Sequence, residues 1–499
     1  SGNSSTPVQI LGFTTDMTYP QINGTSITLN TDAAGGNGPL QYKYWYQFQN
    51  GPWTPIRDWD IHSNATWTPT QAGVYTLVVW VSDDITETLP PLAGMTCLIS
   101  FPFVMGTAIY EPSSSPLPAK GVSFEDPNFH TTITRITDKT TDGYPDPGIQ
   151  NEYAKADPEN SDGTYVILRG NYASWYLYDT ATFQVAKNLS HTIMGDWEPE
   201  PRWDASNPKV FYYVYGTELR SYNIDSEVST TIHDFKNEFP SAFVIRTSVE
   251  GDASLDRRYW CFMVVDSNWT TQAVITYDKT SDSIIGQKTP PYLDDINWVG
   301  MDMSGNHCIL GYSELTYPQV FSKDFSTILT LPDGTNGHGD FALTADGKDV
   351  LVCQNVRTDY ISMVDLNTGV ETPLVAIPFN VNTDIGLHIS GNNAQTPGWV
   401  LVSTYGAKNP PPGESHSWMD NQLFLVELKS NPRIWRIAHT HAYISLNPLD
   451  EKNYFAEASA TINTKGTRIY FGSNWENYTL DYSETYLVTL PGSWLSYLP

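Results

Sequence analysis

Three short segments in the C-terminal half of the chain carry histidines that could bind a metal ion. They are Gly337-His338-Gly339-Asp340, Leu387-His388 and His439-Thr440-His441. Imidazole nitrogens and carboxylate oxygens are common ligands of divalent metals, and side chains two residues apart on a strand share a face. The pattern predicts a site for Mn²⁺, Zn²⁺ or Ca²⁺ formed by His338, His388, His439, His441 and Asp340. In the structural alternative, the histidine of Gly-His-Gly-Asp hydrogen-bonds a backbone carbonyl of the neighbouring repeat unit.

A series of ionisable residues precedes the apolar runs in the same part of the chain. Because they recur at equivalent positions of successive repeat units, we expect them to converge at one mouth of a closed structure. The residues expected to bind a substrate there are Glu152, Glu198, Glu250, Asp384 and Glu457. The alternative is a solvated polar rim that binds nothing.

Two reactions could use these groups. Removal of the proton next to a uronate carboxylate needs a base and a cation that neutralises the carboxylate. The candidate catalytic bases are His338, His388 and Tyr153, and the candidate cation is Arg202 or a bound metal. A hydrolase would instead use two carboxylates of the set Glu198, Glu200, Glu250 and Asp340. The sequence has no G-x-S-x-G, P-loop, dinucleotide-binding or H-E-x-x-H motif, which removes several common enzyme classes.

Repeated hairpins over residues 121–499 would position these groups. One turn recurs at intervals of about 40 to 70 residues, between two apolar runs. Its copies are Asp162-Gly163, Asn207-Pro208, Asp256-Arg257, Gly305-Asn306, Gly347-Lys348, Pro397-Gly398 and Gly466-Thr467. A second turn follows an apolar residue and an Asp, as in Tyr178-Asp179-Thr180. Hairpins of this period without helical periodicity predict an all-β fold with a seven-bladed β-propeller, although six or eight blades also fit.

The segment His130–Asp138 precedes the first full repeat and has the composition of a strand. We expect it to pair with residues 455–490 and complete the last blade. Such pairing closes the ring and leaves no open sheet edge between the first and last repeats.

The N-terminal part of the chain has a different pattern. Residues 111–120 read Glu-Pro-Ser-Ser-Ser-Pro-Leu-Pro-Ala-Lys, which predicts a Pro/Ser linker. Residues 1–110 before it alternate polar and apolar or aromatic residues in short runs, which predicts an immunoglobulin-like β-sandwich. The runs are Val8–Phe13, Ser26–Leu29, Tyr42–Gln49, Thr66–Pro69, Val74–Val81 and Met95–Phe101. With Cys97 as its single cysteine, the sandwich must be held by Trp and Tyr packing rather than by a disulfide.

Composition restricts the partners. The chain has 55 Asp and Glu against 27 Lys and Arg, a net charge of −28, which disfavours nucleic acid and anionic membrane surfaces. No apolar run reaches the length of a membrane span. The four cysteines show no metal or disulfide spacing, so buried unpaired thiols are expected. Low Lys content, many Thr, Ser, Asn and Tyr, and a start at Ser1 predict a processed, extracellular or cell-surface protein.

The N-terminal aromatic pattern resembles a known module. The stretch Gly38–Trp45, the tryptophans Trp53 and Trp59, and the stretch Trp67–Val81 are similar to bacterial extracellular Ig-like modules of the triple-tyrosine type. The resemblance covers roughly residues 6–108 and implies a bacterial surface setting without catalysis.

The C-terminal repeats resemble propellers of the TolB type and, more distantly, the oligogalacturonate lyase propellers. The residues that carry this are Gly337–Asp340, Leu387–Ser390 and His439-Thr440-His441 leading to Ala458–Trp475. The lyase resemblance implies histidines that hold a divalent metal at the funnel mouth. The chain departs from the lyase pattern because Asn463-Thr464-Lys465-Gly466 replaces Ser-Pro-Asp-Gly.

These patterns together predict a secreted or cell-surface bacterial propeller protein that acts on or binds polysaccharide at the funnel. A divalent metal is the candidate cofactor, and a lyase-like reaction is the candidate activity. The alternative is a non-catalytic structural or adhesive subunit of an extracellular assembly or filament, which self-assembles through its Ig-like domain.

Overall fold

The computed structural model describes residues 6–86, 89–113, 115–171, 174–195, 197–289, 295–379, 385–406, 417–444, 452–477, 483–492 and 494–498. Its Cα positions divide the chain into two compact units. The first contains Ser1–Phe103 and Pro491–Pro499, and the second contains Val104–Leu490. The predicted Pro/Ser segment 111–120 therefore lies inside the second unit.

The first unit consists of two sheets. Its strands are β1 (Gln9–Thr15), β2 (Gln21–Ile22), β3 (Ile27–Ala34), β4 (Gln41–Phe48), β5 (Trp53–Asp60), β6 (Asn64–Trp67), β7 (Gly73–Ser82) and β8 (Leu92–Ser100), and the chain end adds a 3-10 helix at Trp494–Ser496. One sheet has the order β1-β3-β6 and the other β2-β8-β7-β4-β5, with β2 parallel to β8 and the remaining pairs antiparallel. All six predicted strands are present, and β2 and β5 are additional.

Aromatic packing holds the first unit together. Along β7, Tyr75, Leu77, Val79 and Val81 alternate inward and are buried, as a half-buried strand requires. Tyr75 contacts Trp67 at a ring-centroid distance of 5.0 Å. Cys97 is buried and unpaired, so this core forms without a cross-link, as the sequence indicates.

Within the described residues, the second unit forms seven antiparallel sheets in chain order. Before them lie β9 (Ser123–Glu125), β10 (Thr132–Arg135) and helix α1 (Lys139–Asp142). The first sheet contains β11 (Ile149–Gln150), β12 (Tyr165–Gly170), β13 (Trp175–Asp179) and β14 (Val185–Asn188), followed by helix α2 (Ser190–Ile193). The second contains β15 (Arg202–Trp203), β16 (Val210–Tyr215), β17 (Glu218–Asn223) and β18 (Val228–Asp234). The third contains β19 (Ala242–Arg246), β20 (Tyr259–Asp266), β21 (Thr271–Asp278) and β22 (Ser283–Lys288).

The remaining sheets repeat this order. The fourth contains β23 (Ile296–Met301), β24 (His307–Tyr312), β25 (Gln319–Ser322) and β26 (Ile328–Thr330). The fifth contains β27 (Gly339–Leu343), β28 (Asp349–Asn355), β29 (Tyr360–Asp365) and β30 (Glu371–Ala376). The sixth contains β31 (Ile385–Ser390), β32 (Trp399–Gly406), β33 (Gln422–Glu427) and β34 (Ile434–His439), followed by helix α3 (Lys452–Ala456). The seventh contains β35 (Thr461–Ile462), β36 (Arg468–Ser473) and β37 (Glu484–Thr489), joined by β10 and β9.

The predicted turns coincide with the hairpin turns of the structure. Each copy of the first turn connects the first and second strands of a sheet, and the second turn begins at the end of the third strand, as at Asp179, the last residue of β13. Glycine permits the left-handed backbone that such turns use. The turn glycines with positive φ are Gly163, Gly305, Gly347, Gly398 and Gly466.

Pairing of β10 with β37 joins the start of the second unit to its end, so the structure confirms the predicted closing strand. Glu484 on β37 reinforces this junction, because its buried carboxylate accepts hydrogen bonds from Thr137 Oγ1 (2.5 Å), the Lys139 backbone N–H (2.8 Å) and the Tyr144 hydroxyl (2.8 Å). Consecutive four-stranded antiparallel sheets closed by a strand from the other end are the topology of a β-propeller.

The expectation of unpaired thiols is wrong for two of the four cysteines. Cys261 on β20 and Cys308 on β24 form a disulfide between the third and fourth sheets, with Cα atoms 5.8 Å apart. Both are second-strand positions, and their separation of 47 residues is about one repeat. Among the described residues, no helix has both the length and the apolar character needed to cross a membrane.

Candidate functional site

One cavity of about 490 Å³ in the second unit is lined by residues on the strands or flanking loops of six of the seven sheets. In a hairpin, the residues before the first strand and those at the end of the second strand lie at the same sheet edge, which applies to Glu198, His338, Glu457, Arg169 and Tyr405. Glu152, Tyr153 and residues 248–250 instead lie on the loops that follow the first strands β11 and β19. The lining residues are Glu152, Tyr153, Arg169, Trp197, Glu198, Ser248, Val249, Glu250, His338, His388, Tyr405, Tyr454 and Glu457.

Most of the predicted site residues line this cavity. They are Glu152, Tyr153, Glu198, Glu250, His338, His388 and Glu457. Arg202 is buried and contacts the lining residue Glu152, with 2.5 Å between Nη1 and Oε2, but does not itself line the cavity. Asp340 is buried and accepts a hydrogen bond from the Gly391 backbone N–H at 2.8 Å. Asp384 lies outside the described residues.

His388 lies at the centre of an aromatic stack. Its ring is stacked with His338 at 4.9 Å and with Tyr405 at 5.2 Å, and Tyr153 meets it edge-on at 5.3 Å. His338 Nδ1 lies 2.8 Å from the Leu387 carbonyl oxygen in the next sheet, which is the contact that the structural interpretation predicts. Because a carbonyl oxygen only accepts, Nδ1 of His338 donates in this hydrogen bond.

The two stacked histidines are poorly arranged for one metal ion. Their rings are 13° from parallel, whereas an imidazole binds a metal through a lone pair in its own plane. Across the ranges that the structure describes, no group of three or more His, Cys, Asp or Glu side chains could hold a metal ion. The divalent metal therefore stays a prediction.

His439 and His441 are not brought to the cavity. His439 ends β34, the outermost strand of the sixth sheet, whereas His388 is on the innermost strand β31. Three inter-strand spacings separate these strands by roughly 14 Å. His439 Nε2 contacts the Tyr110 carbonyl oxygen at 2.9 Å, and His441 stacks on Trp475 at 4.2 Å.

Three cations reach the cavity carboxylates, and each forms an ion pair. Arg169 Nη2 lies 2.7 Å from Glu198 Oε1, and Lys155 Nζ lies 2.9 Å from Glu250 Oε2. Arg202 pairs with Glu152 as described above. The fourth carboxylate, Glu457, lies 3.7 Å from His388 Nε2. The cavity therefore combines both charges without an excess of positive charge.

The environments of these carboxylates drive their pKa values apart. Burial raises the pKa of Glu457 to about 7, although a hydrogen bond from Tyr405 opposes the shift. Burial also acts to raise the pKa of Glu250, but Lys155 outweighs it and holds that pKa below its ordinary value. Burial, together with His338 and Lys155, lowers the pKa of His388 well below its ordinary value, so this imidazole is neutral. An acid and a base in one cavity are the elements of general acid–base chemistry.

The cavity also concentrates buried polar atoms without partners. Five lining residues carry an atom that is buried and makes no hydrogen bond among the described residues. These atoms are Glu152 Oε1, Arg169 Nε, Trp197 Nε1, Glu198 Oε2 and His388 Nδ1. Buried polar groups in folded proteins nearly always have partners, so a cluster of exceptions marks a place where a polar ligand or water completes the bonding.

A second cavity of about 320 Å³ lies at the turns between first and second strands. Its carboxylates are already satisfied by the protein. Asp157 accepts from the backbone N–H and the hydroxyl of Thr464, and Glu159 accepts from the Tyr470 hydroxyl at 2.5 Å. We therefore assign the candidate site to the first cavity.

The lining residues that the sequence reasoning missed are Arg169, Trp197, Ser248, Val249, Tyr405 and Tyr454. It also missed Lys155, which pairs with Glu250. Arg169 and Tyr405 each lie near the end of a second strand. Strand order alone gives the signal for them, since that end of a hairpin lies beside the start of its first strand. Trp197 immediately precedes the predicted residue Glu198, but a tryptophan next to a strand is typical of core packing, so its sequence context did not indicate a binding residue.

No protein-family model matches the chain, and no curated protein matches it. Solved structures resemble it at low identity. A crystal structure of the mitotic checkpoint complex matches with 11% identity and a TM-score of 0.42, covering 77% of this chain and 98% of that one. The RRP9 WD40 repeats match with 9% identity and a TM-score of 0.41, covering 72% and 97%. The Cps50 (Swd1) β-propeller domain of Myceliophteria thermophila matches with 10% identity and a TM-score of 0.41, covering 67% and 96%.

Proposed function

We propose that this protein binds a neutral saccharide in the cavity that contains His388. The observation that carries the proposal is the cluster of buried polar atoms without partners among the described lining residues. It contains donors, such as Arg169 Nε, and acceptors, such as Glu198 Oε2. Sugar hydroxyls both donate and accept, so one saccharide could complete both kinds of bond.

The aromatic lining supports the same ligand class. Trp197, Tyr405 and Tyr454 bring ring surface to the cavity beside the polar atoms. Pyranose rings present apolar C–H faces, and such faces pack on aromatic rings. A ligand that needs apolar faces and many hydrogen bonds at once is a carbohydrate rather than a simple ion.

The charges favour a neutral sugar over a uronate. Arg169, Lys155 and Arg202 are each paired with a carboxylate, so a uronate would meet no unpaired cation among these three. Arg246, beside Trp197, is a fourth nearby cation, and its Nε has no hydrogen-bond partner among the described residues. The chain's net charge of −28 adds long-range repulsion. The lyase-like reaction predicted from the resemblance is therefore less well supported than binding of a neutral polysaccharide.

Titration calorimetry against neutral oligosaccharides and oligogalacturonates tests the proposal. Glu198→Gln should weaken neutral-sugar binding by about 10- to 100-fold, because a charged hydrogen-bond acceptor is lost. Glu427→Gln is the matched control. Glu427 forms an ion pair with Arg433, with 2.9 Å between Oε1 and Nη2, and it does not line the cavity. Absence of binding to every neutral sugar would contradict the proposal. Absorbance at 235 nm and added chelator report β-elimination and metal dependence in the same samples.

We further propose that the chain is a secreted or cell-surface bacterial protein with an Ig-like sandwich and a seven-bladed propeller. The seven sheets of the described second unit support the blade number. The disulfide between Cys261 and Cys308 supports the location, because disulfides persist in oxidising compartments.

A second candidate function is assembly through the first unit, as a structural or adhesive subunit. Strand β5 lies at a sheet edge, and Trp53 at its start is 46% exposed. An edge strand with exposed apolar residues can accept a strand from a neighbour. Sedimentation and electron microscopy of the purified protein would show polymers if this is its role, whereas a monomer at high concentration would exclude it.

A further inference from the structure

A shelf of aromatic residues extends from the cavity. We define the tryptophan shelf as Trp197, Arg246 and Trp269. The Arg246 guanidinium lies 4.9 Å from the Trp197 ring and 5.2 Å from the Trp269 ring, and the two indoles are 4.9 Å apart at 62°. Trp197 also lines the cavity, so the shelf adjoins the cavity through this residue.

Trp269 is held outward at some energetic disadvantage. Its side chain is 47% exposed, and its φ of 62° is in the left-handed region that a bulky residue rarely adopts. Asp266 fixes this turn, because its Oδ1 accepts the backbone N–H groups of Asn268 (2.9 Å) and Thr270 (3.0 Å). Trp269 packs on Trp197 and meets Phe243 edge-on at 6.0 Å, so part of its ring contributes to packing. The exposed remainder of the ring offers an apolar face that a ligand could cover.

The shelf also carries polar atoms that lack partners. Trp197 Nε1 and Arg246 Nε are buried and make no hydrogen bond with any described residue. Both are donors and lie beside ring surface. Trp197 Nε1 is one of the five atoms already described at the cavity, and Arg246 Nε adds one donor beyond the cavity lining.

We infer that the tryptophan shelf is a second sugar subsite, so that the ligand is a saccharide chain with one unit in the cavity and the next on the shelf. The inference rests on the proposed function and deepens it from a saccharide to an oligosaccharide or polysaccharide. The apolar face of the second sugar packs on Trp269, and its hydroxyls accept from Arg246.

Binding of one neutral sugar, measured as a monomer and as its oligomers, tests the inference. The variant is Trp269→Asn, because asparagine tolerates left-handed backbone and the turn is retained. We expect about 3- to 10-fold weaker binding of oligomers and unchanged binding of the monomer. Trp53→Ala, which removes a similarly exposed tryptophan from the first unit, should change neither.

Each result decides between the two proposals. Equal affinity of the wild type for monomer and oligomers, or equal oligomer binding by Trp269→Asn and wild type, would overturn the shelf while leaving the cavity proposal intact. Absence of binding to any sugar would overturn both. Asn268-Trp269-Thr270 is a glycosylation sequon, and a glycan found on Asn268 by mass spectrometry would occupy the shelf and also overturn the inference.

Discussion

Substitution of Glu457 by glutamine should change how the stability of the protein depends on pH. Burial raises the pKa of Glu457 from its ordinary 4.5 to about 7, so the carboxyl is harder to ionise in the folded than in the unfolded protein. Its contribution to stability is complete below about pH 4.5 and is lost as the pH rises through about 7. Between about pH 5.5 and about pH 8.5 the loss amounts to about 2 kcal/mol, since one pKa unit corresponds to about 1.4 kcal/mol.

Glutamine has no charge to bury, so Glu457→Gln should not show this loss. Urea denaturation of the variant and the wild type at both pH values should give a difference in unfolding free energy that grows in favour of the variant by about 2 kcal/mol at the higher pH. A difference titration of the folded proteins should show one fewer proton released near pH 7. Glu427→Gln is the control. Burial acts to raise the pKa of Glu427, but Arg433 helps to hold that pKa at about 2, so Glu427 stays ionised over this pH range. The difference in unfolding free energy between this variant and the wild type should therefore be the same at both pH values. Parallel pH profiles for Glu457→Gln and the wild type would refute the reasoning.

Two further predictions concern the scaffold and a third concerns the cavity. Replacing Cys261 and Cys308 by alanine should lower the unfolding free energy by about 4 kcal/mol for a loop of 47 residues, and a non-reducing peptide map should show the linked peptides in the wild type. Glu484→Ala should destabilise the second unit by about 3–5 kcal/mol, measured by urea denaturation, because buried donors lose their acceptor. Gly386→Ala should weaken sugar binding by about 10-fold with little change in circular dichroism, because a Cβ there overlaps the Tyr405 ring.

The repeat architecture could be predicted because its signals are local. A turn needs Gly, Asn or Asp at particular positions, and a buried strand needs a run of apolar residues. A short pattern such as Gly347-Lys348 between two apolar runs therefore indicates its own hairpin. The closing strand β10 was found in the same way. The edge strand β5 was missed because Pro55 and Asp58 interrupt its apolar alternation, which an edge position tolerates and a central one does not.

The radial position of a strand within its sheet was harder to predict. His439-Thr440-His441 has a suitable spacing for a metal site, but its place at the end of an outermost strand depends on how the irregular sixth unit is divided into strands. The disulfide was missed for a related reason. Cys261 and Cys308 are far apart in the sequence, and their proximity becomes visible only when the separation of 47 residues is compared with the repeat length.

Some buried carboxylates of this chain have both oxygens bonded by the protein, whereas others have one oxygen bonded and one unbonded, and this contrast separates scaffold from site. Glu484 and Glu159 are buried and accept several hydrogen bonds each, so they stabilise the junctions between sheets. Glu152 and Glu198 at the cavity each have an oxygen that is buried and unbonded within the described structure. Burying a polar atom without a partner costs free energy, and apolar residues of similar size would avoid that cost. The proposed ligand would offset that cost by bonding these atoms, whereas the groups around Glu484 and Glu159 need none because the protein already bonds them.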